Sequence, residues 1–312
     1  MSAAFQVHQQ GDETAVVVGS TEILRYNTNP DSPQEEAPKP YLFPLRFTDG
    51  GEASIRRPWD HRWHTGLQFT WSHVEDQNFW GGASFDTEAQ WYVMKDNLGT
   101  MKHLNFHQEP TGGDEVVFDE QLDWITAAGQ RWMDEHRVQR VHSVHPGDEA
   151  GRGGVWAVDL NTTLTNVRGS TIRLGSPTTA GRPAAGYTGW FWRGPRAWTG
   201  CSVTSSTGLS DEAEIMGTEA EWVAFSSQHD DLDGGGTVLV YSGTSRSEHT
   251  DVPPVKWFTR TGTFAVASPS PAFDQEIHLP ADGVLQLNHR FVFIAETLEG
   301  QELQRRAEEF QL

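Results

Sequence analysis

An all-β fold, a large antiparallel β-sandwich closed by one short C-terminal helix, is predicted by three features of the chain. Apolar residues recur with period two, turn signals separate the runs, and helical periodicity is scarce. No internal repeat and no shift in composition divides the 312 residues, so a single sandwich domain over 1–312 is expected, with strongly curved sheets.

The elements follow in order. The segment from Asn29 to Pro40, rich in proline and acids, reads as a loop. Val116, Phe118, Leu122 and Trp124 share one face of a strand whose other face carries Glu115, Asp119, Gln121 and Asp123. Val117 and Glu120 interrupt that pattern, so this strand is expected to be imperfectly two-faced. Trp156, Val158, Leu160 and Leu164 alternate with Asp159, Asn161 and Thr163, and Leu285, Leu287, Phe291 and Phe293 with Gln286, Asn288 and Arg290, as in strands with one wet face. Turns are marked at Thr111–Gly112–Gly113–Asp114, Asp233–Gly234–Gly235–Gly236 and Pro280–Ala281–Asp282–Gly283. The one convincing helix lies over Glu299 to Phe310, where Leu303, Ala307 and Phe310 make an apolar stripe.

Composition narrows the function. A net charge of −20 argues against nucleic acid or an anionic membrane surface as partner, since phosphate is repelled. No run approaches the roughly eighteen apolar residues that cross a bilayer, and the N-terminus lacks signal-peptide character, so a cytoplasmic protein is expected. The lone Cys201 forms no intrachain disulfide and reads as a buried strand residue rather than a nucleophile. Thirteen Trp and sixteen Phe supply core area despite a hydrophobic content of 36%. Dinucleotide, Walker, H-E-x-x-H and G-x-S-x-G signatures are missing, so no cofactor is expected.

Chemistry concentrates in a few segments. Arg57 to Leu67 packs two imidazoles, a carboxylate, two guanidiniums and two indoles into eleven residues. His61 and His64 suit proton exchange near neutral pH, and Asp60 can fix a tautomer. Histidines three apart point to opposite faces of a strand, so joint action needs a turn, which Pro58 and Gly66 make plausible. Asn78–Phe79–Trp80–Gly81–Gly82 is a second cluster. His103, Asn105 and His107 alternate with Leu104 and Phe106, giving either a polar floor for a ligand or a solvated face. Asp134–Glu135–His136 offers a carboxylate base in Glu135, against a charged, solvated strand edge. In Gly181–Arg196, glycines flank Tyr187, Trp190, Phe191, Trp192 and Arg193, so indole and phenol faces can stack on a sugar. Trp190 and Trp192 would share one side of a strand, Phe191 and Arg193 the other, with Arg193 facing a cavity.

These segments, in this order, resemble a bacterial family catalogued as "methane oxygenase PmoA". The matching residues are Pro40–Tyr41–Leu42–Phe43–Pro44–Leu45–Arg46, Asp60–His61–Arg62–Trp63–His64–Thr65–Gly66–Leu67, Asn78–Phe79–Trp80–Gly81–Gly82, Gly181–Arg182–Pro183, Gly189–Trp190–Phe191–Trp192–Arg193 and Val255–Lys256–Trp257–Phe258–Thr259–Arg260. Family members carry two adjacent histidines where this chain has Trp63–His64, so a role needing both imidazoles of that pair is not carried over. The catalogued activity belongs to a membrane enzyme and is likewise not carried over. The resemblance and the strand pattern imply a galactose mutarotase-like supersandwich, a fold whose members bind carbohydrate and use His with a carboxylate.

The expected function is a carbohydrate-active enzyme (epimerase, lyase or hydrolase) acting on a sugar or oxidised sugar by His/carboxylate chemistry. His61, His64 and Asp60 are its catalytic candidates, with Arg57, Asn78, Trp80, His103, Tyr187, Trp190 and Arg193 lining the pocket and no metal. One alternative is a non-catalytic sugar-binding module or dehydrogenase partner. The other is a metal-dependent oxygenase using His61, His64 and a carboxylate. The sequence is silent on oligomeric state.

Overall fold

A computed structural model of the chain describes residues 4–311. Two antiparallel sheets of eight strands each dominate it. In spatial order the first runs Gln6–Gln10, Glu13–Val18, Thr21–Asn27, Tyr41–Leu45, Leu67–Thr70, Gly189–Arg193, Val266–Ser270 and Lys256–Arg260. The second runs Ser202–Ser205, Trp222–Gln228, Gly235–Arg246, Val284–Ile294, Val155–Asn166, Arg131–His145, Glu115–Ile125 and Thr100–Gln108. A three-stranded sheet and the small hairpin Ser84–Asp86/Trp91–Val93 complete the β structure. Their inner faces share one core, with Leu24, Leu67, Trp190 and Trp192 from the first sheet meeting Phe118, Trp156, Phe225 and Phe291 from the second. Fully burying each such side chain contributes about 1.5–3 kcal/mol relative to exposure. The fold is therefore the large antiparallel β-sandwich that the alternation predicts. No helix among the described residues is long and apolar enough to cross a membrane.

The C-terminal helix, Gly300–Glu309, lays Leu303 and Ala307, followed by Phe310, onto Val155, Ala157, Leu239, Tyr241, Val292 and Ile294. Tyr241 donates from its hydroxyl to the Ala307 carbonyl at 2.6 Å. This corrects the expectation of a wet outer face on the Trp156 strand, because every residue from Val155 to Leu160 is buried. Asp159 tolerates that position by accepting from Arg290.

Glu120 does not interrupt the alternation of its strand. It lies on the buried face with Phe118 and Leu122, while Val117 is half-exposed on the other. The carboxylate is held there by Tyr26, by His103 at 2.7 Å and by Arg137 at 3.9 Å. Glu135 is equally buried, bound by two Arg137 nitrogens at 2.7 and 2.9 Å and by the Trp124 indole at 2.8 Å. A solvated edge, and a free general base at Glu135, are both set aside by this ion cluster inside the sandwich. Burial alone would lower the Arg137 pKa, but Glu135, Tyr26 and Glu120 outweigh it and raise it.

His289 faces the same core, fully buried, and desolvation pushes its pKa down to about 4. His73 is lowered likewise to about 4, mainly by burial. A folded pKa below the unfolded 6.5 means that the unfolded chain binds more protons between those values. The contribution is present above pH 6.5 and is lost as pH falls toward 4. For His289 the loss amounts to at most about 3 kcal/mol, from 1.36 kcal/mol per unit. Urea midpoints should change little from pH 7.5 to 6.5 and fall from pH 6.5 to 5, and a profile flat down to pH 5 would contradict neutral buried imidazoles.

Candidate functional site

The strand Gly189–Arg193 turns Trp190 and Trp192 into the inter-sheet core and Phe191 and Arg193 to the opposite face of the first sheet. Segments 57–66, 78–83, 181–188 and 261–265 cover that outer face. Between them lies a cavity of about 300 Å³. Trp63, Trp80, Tyr187, Phe191, Phe258 and Phe264 form its aromatic wall. His61, His64, Tyr92, Arg182 and Arg260 bring polar groups to it.

The first of these segments is a closed excursion. Arg57 donates its amide to the His64 carbonyl at 2.8 Å, and two turns inside, His61 N to Pro58 O and His64 N to His61 O, each span 3.0 Å. These turns bring histidines three apart onto one side, where their rings stack at 4.8 Å and 25°. Asp60 lies 3.1 Å from His61 Nδ1 and also accepts from Arg196. Burial pushes the Asp60 carboxyl up, but hydrogen bonds from His61, its own amide and Arg196 hold it below the usual range. An ionised carboxylate only accepts, so His61 carries its proton on Nδ1 and keeps the Nε2 lone pair free. Burial lowers the His61 pKa, and the neighbouring Asp60 only partly offsets it.

His64 is nearly enclosed, at 4% exposure, between the rings of Phe191 (4.6 Å) and Trp80 (5.9 Å). Its pKa is driven well below the ordinary value by burial and by the proximity of His61 and Arg193. Its Nδ1 has no hydrogen-bond partner among the described residues. The cavity thus presents two neutral imidazoles at neutral pH.

Trp80 is set by its own turn. Asn78 Oδ1 accepts from the amides of Trp80 (2.8 Å) and Gly81 (3.0 Å), while Nδ2 donates to Gly82 O and Ser84 Oγ, both at 3.1 Å. Gly81 and Gly82 have positive φ, and a Cβ on either would fall 2.5–2.6 Å from Trp63. Glycine is needed there for the indole to close over the turn. Trp80 then packs on Tyr187 at 4.4 Å, and the Tyr187 hydroxyl meets that of Tyr92 at 2.7 Å. Burial, reinforced by Tyr92, raises the Tyr187 pKa well above its ordinary value.

The structure therefore brings His61, His64, Trp80 and Tyr187 to one cavity, with Asp60 reaching it through His61. Five other expected residues do not line it. Arg57 turns away to grip Glu36 with two nitrogens, at 2.6 and 2.8 Å. Asn78 spends all its hydrogen-bonding capacity on the turn beneath Trp80. His103 lies on the edge strand of the second sheet against Glu120, so the row His103–Asn105–His107 is a partly solvated face rather than a ligand floor. Trp190 points into the core and donates to Thr162 Oγ1 at 3.2 Å. Arg193 lies behind Phe264, off the cavity surface, with its guanidinium 3.4 Å from that ring's centre.

Sequence reasoning missed Tyr92, Phe258, Phe264, Arg182 and Arg260 as lining residues. Arg182 and Arg260 stood within the quoted motifs, whereas Tyr92 comes from a distant hairpin that nothing local ties to the site. Asp60, His61 and His64 do not gather their donor atoms into a ligand-sized group. Among the described residues the group that does is His107, Asp119 and His136, across three strands of the second sheet. Cys201 is buried with its thiol pushed up to about 12, chiefly by desolvation, which removes it as a nucleophile.

The geometry defines a β-sandwich protein with a half-open, aromatic, two-histidine cavity. The chain belongs to the family of unknown function DUF6807, whose model matches residues 13–308. That family description names no activity, and the methane-oxygenase label finds no support in it. No curated protein matches the chain. One solved structure, described as a candidate aldose 1-epimerase from Klebsiella pneumoniae, is similar over 94% of this chain and 83% of its own. Identity is 9% and the TM-score 0.35, too low to carry an argument about site or activity.

Proposed function

We propose that this protein binds a sugar or oxidised sugar in the aromatic cavity and moves protons on it, as an epimerase, lyase or hydrolase. The observation that carries the reading is the stacked pair His61–His64 opening into a cavity walled by Trp63, Trp80 and Tyr187. A volume of about 300 Å³ suits one monosaccharide, and indole faces stack on the apolar faces of sugar rings. His61, held by Asp60 as the Nδ1–H tautomer, takes a proton at Nε2, and neutral His64 supplies the second proton-transfer group. Among the described residues no carboxylate lines the cavity, so the chemistry rests on imidazoles, with Asp60 acting through His61.

The test is an NMR panel of aldoses, sugar acids and their derivatives, followed for epimerisation, elimination or hydrolysis. Trp80→Ala should raise KM roughly tenfold or more by removing the stacking face, with a smaller change in kcat. Unchanged KM would exclude Trp80 from the binding surface.

The lack of a carboxylate in the cavity wall, among the described residues, favours one further reading, a sugar-binding module without turnover. Calorimetry separates the two. A module binds its sugar equally well in His61→Gln, loses it in Trp80→Ala, and turns over nothing in the panel.

A further inference from the structure

Arg193 closes the strand Gly189–Arg193, and its side chain is wholly buried. Its backbone is well used, donating to Gly66 O at 2.8 Å and accepting from the Ile55 amide at 3.2 Å. Its guanidinium is not, since Nε and both terminal nitrogens lack any hydrogen-bond partner among the described residues. A guanidinium offers five N–H donors in a planar fork, and burying it unpaired costs several kcal/mol. The nearby carboxylate does not satisfy it, because Asp60 is engaged by His61 and Arg196. What covers the fork is Phe264, a half-buried ring on the 261–265 loop between the last two strands of the first sheet. The same ring forms part of the cavity wall and touches His61 at 5.2 Å. An unsatisfied cation thus sits one side chain behind a cavity holding two imidazoles, in a protein of net charge −20 whose general field repels anions.

We propose that the Arg193 guanidinium is the receptor for an oxyanion carried by the ligand of this cavity, a carboxylate or a phosphate, exposed when the Phe264 ring moves aside. The proposal rests on the sugar-binding reading and narrows it to acidic sugars. The planar fork matches either oxyanion bidentately, and the contact satisfies donors that are otherwise unmade. Phe264 serves as their cover in the unliganded protein, lending its ring face to the cation.

The test uses the whole chain and three probes, D-glucuronate, D-glucose 6-phosphate and neutral D-glucose, with affinities read by calorimetry at constant ionic strength. In the wild type at least one anion should bind about 10- to 100-fold more tightly than glucose, the range expected for charge-assisted hydrogen bonds. Preference for glucuronate identifies a carboxylate ligand, and preference for glucose 6-phosphate a phosphate. Arg193→Gln should reduce the favoured anion to the affinity of glucose, while Phe264→Ala should bind it at least as tightly as wild type. Arg193→Gln should also melt no lower than wild type, because it removes an uncompensated buried charge. Equal binding of glucose and both anions by the wild type overturns the anion site while leaving the sugar cavity standing. So does anion affinity that survives Arg193→Gln. Binding of none of the probes defeats both readings. Should Arg193→Gln fail to fold, the wild-type preference and the Phe264→Ala comparison still decide.

Discussion

Replacing His61 by Ala should lower kcat by about 10²- to 10⁴-fold on whichever sugar of the panel the wild type converts, the usual range for removing a general base. The melting temperature should scarcely change, because about a third of this side chain is exposed at the cavity and its one polar partner, Asp60, keeps Arg196. Burial holds the His61 pKa below the ordinary imidazole value, so the free base predominates at neutral pH. The rate in the wild type should therefore fall on acidification with a midpoint below that of an ordinary imidazole. Steady-state kinetics with circular dichroism on the same sample checks both points. Activity within threefold of wild type would remove His61 from proton transfer.

A comparable effect, on stability instead, is expected at Arg137. Arg137→Met should cost about 3–5 kcal/mol, because it leaves the Glu120 and Glu135 carboxylates inside the sandwich without their cation. For a chain of this size that is a fall in melting temperature on the order of 10 °C. Adding Glu135→Gln should recover part of the loss, since an amide can be buried at lower cost than a carboxylate. A single-variant loss below about 1 kcal/mol would show that the cluster is hydrated rather than dry. Sugar binding in Arg137→Met should survive below its melting point, as the cluster faces the core and the cavity lies on the other side of the first sheet.

The sandwich was legible because period-two alternation is local and each strand reports its own faces. Trp190/Trp192 against Phe191/Arg193 is the clearest case. Alternation is blind, however, to what covers a face. The dry outer side of Val155–Leu160 depends on a helix nearly 150 residues away, and Glu120 reads as an interruption until Tyr26, His103 and Arg137 arrive from three other strands. The site divides the same way. Turn residues around His61 and His64 foretold that the imidazoles could share a side, and the glycines beside Trp80 marked a close approach. Arg57 and Asn78 misled because a polar residue in a rich segment can serve the loop rather than a ligand. His103 misled because distance between sheets has no signature in a strand. Phe264 could not be read at all, since its role follows from where a hairpin folds back.

The central claim is that His61, His64 and Trp80 act on one ligand in one hollow. It is tested most directly by long-range ¹⁵N–¹H spectra of the histidine rings and tryptophan indoles, recorded while a bound sugar from the panel is titrated in. Saturable shifts should concentrate on His61, His64 and the Trp63 and Trp80 indoles, with free His61 showing the Nδ1–H tautomer at pH 7. Saturable shifts confined to His103, His107 and His136, with His61 and His64 silent, would place the ligand on the other sheet and contradict the account.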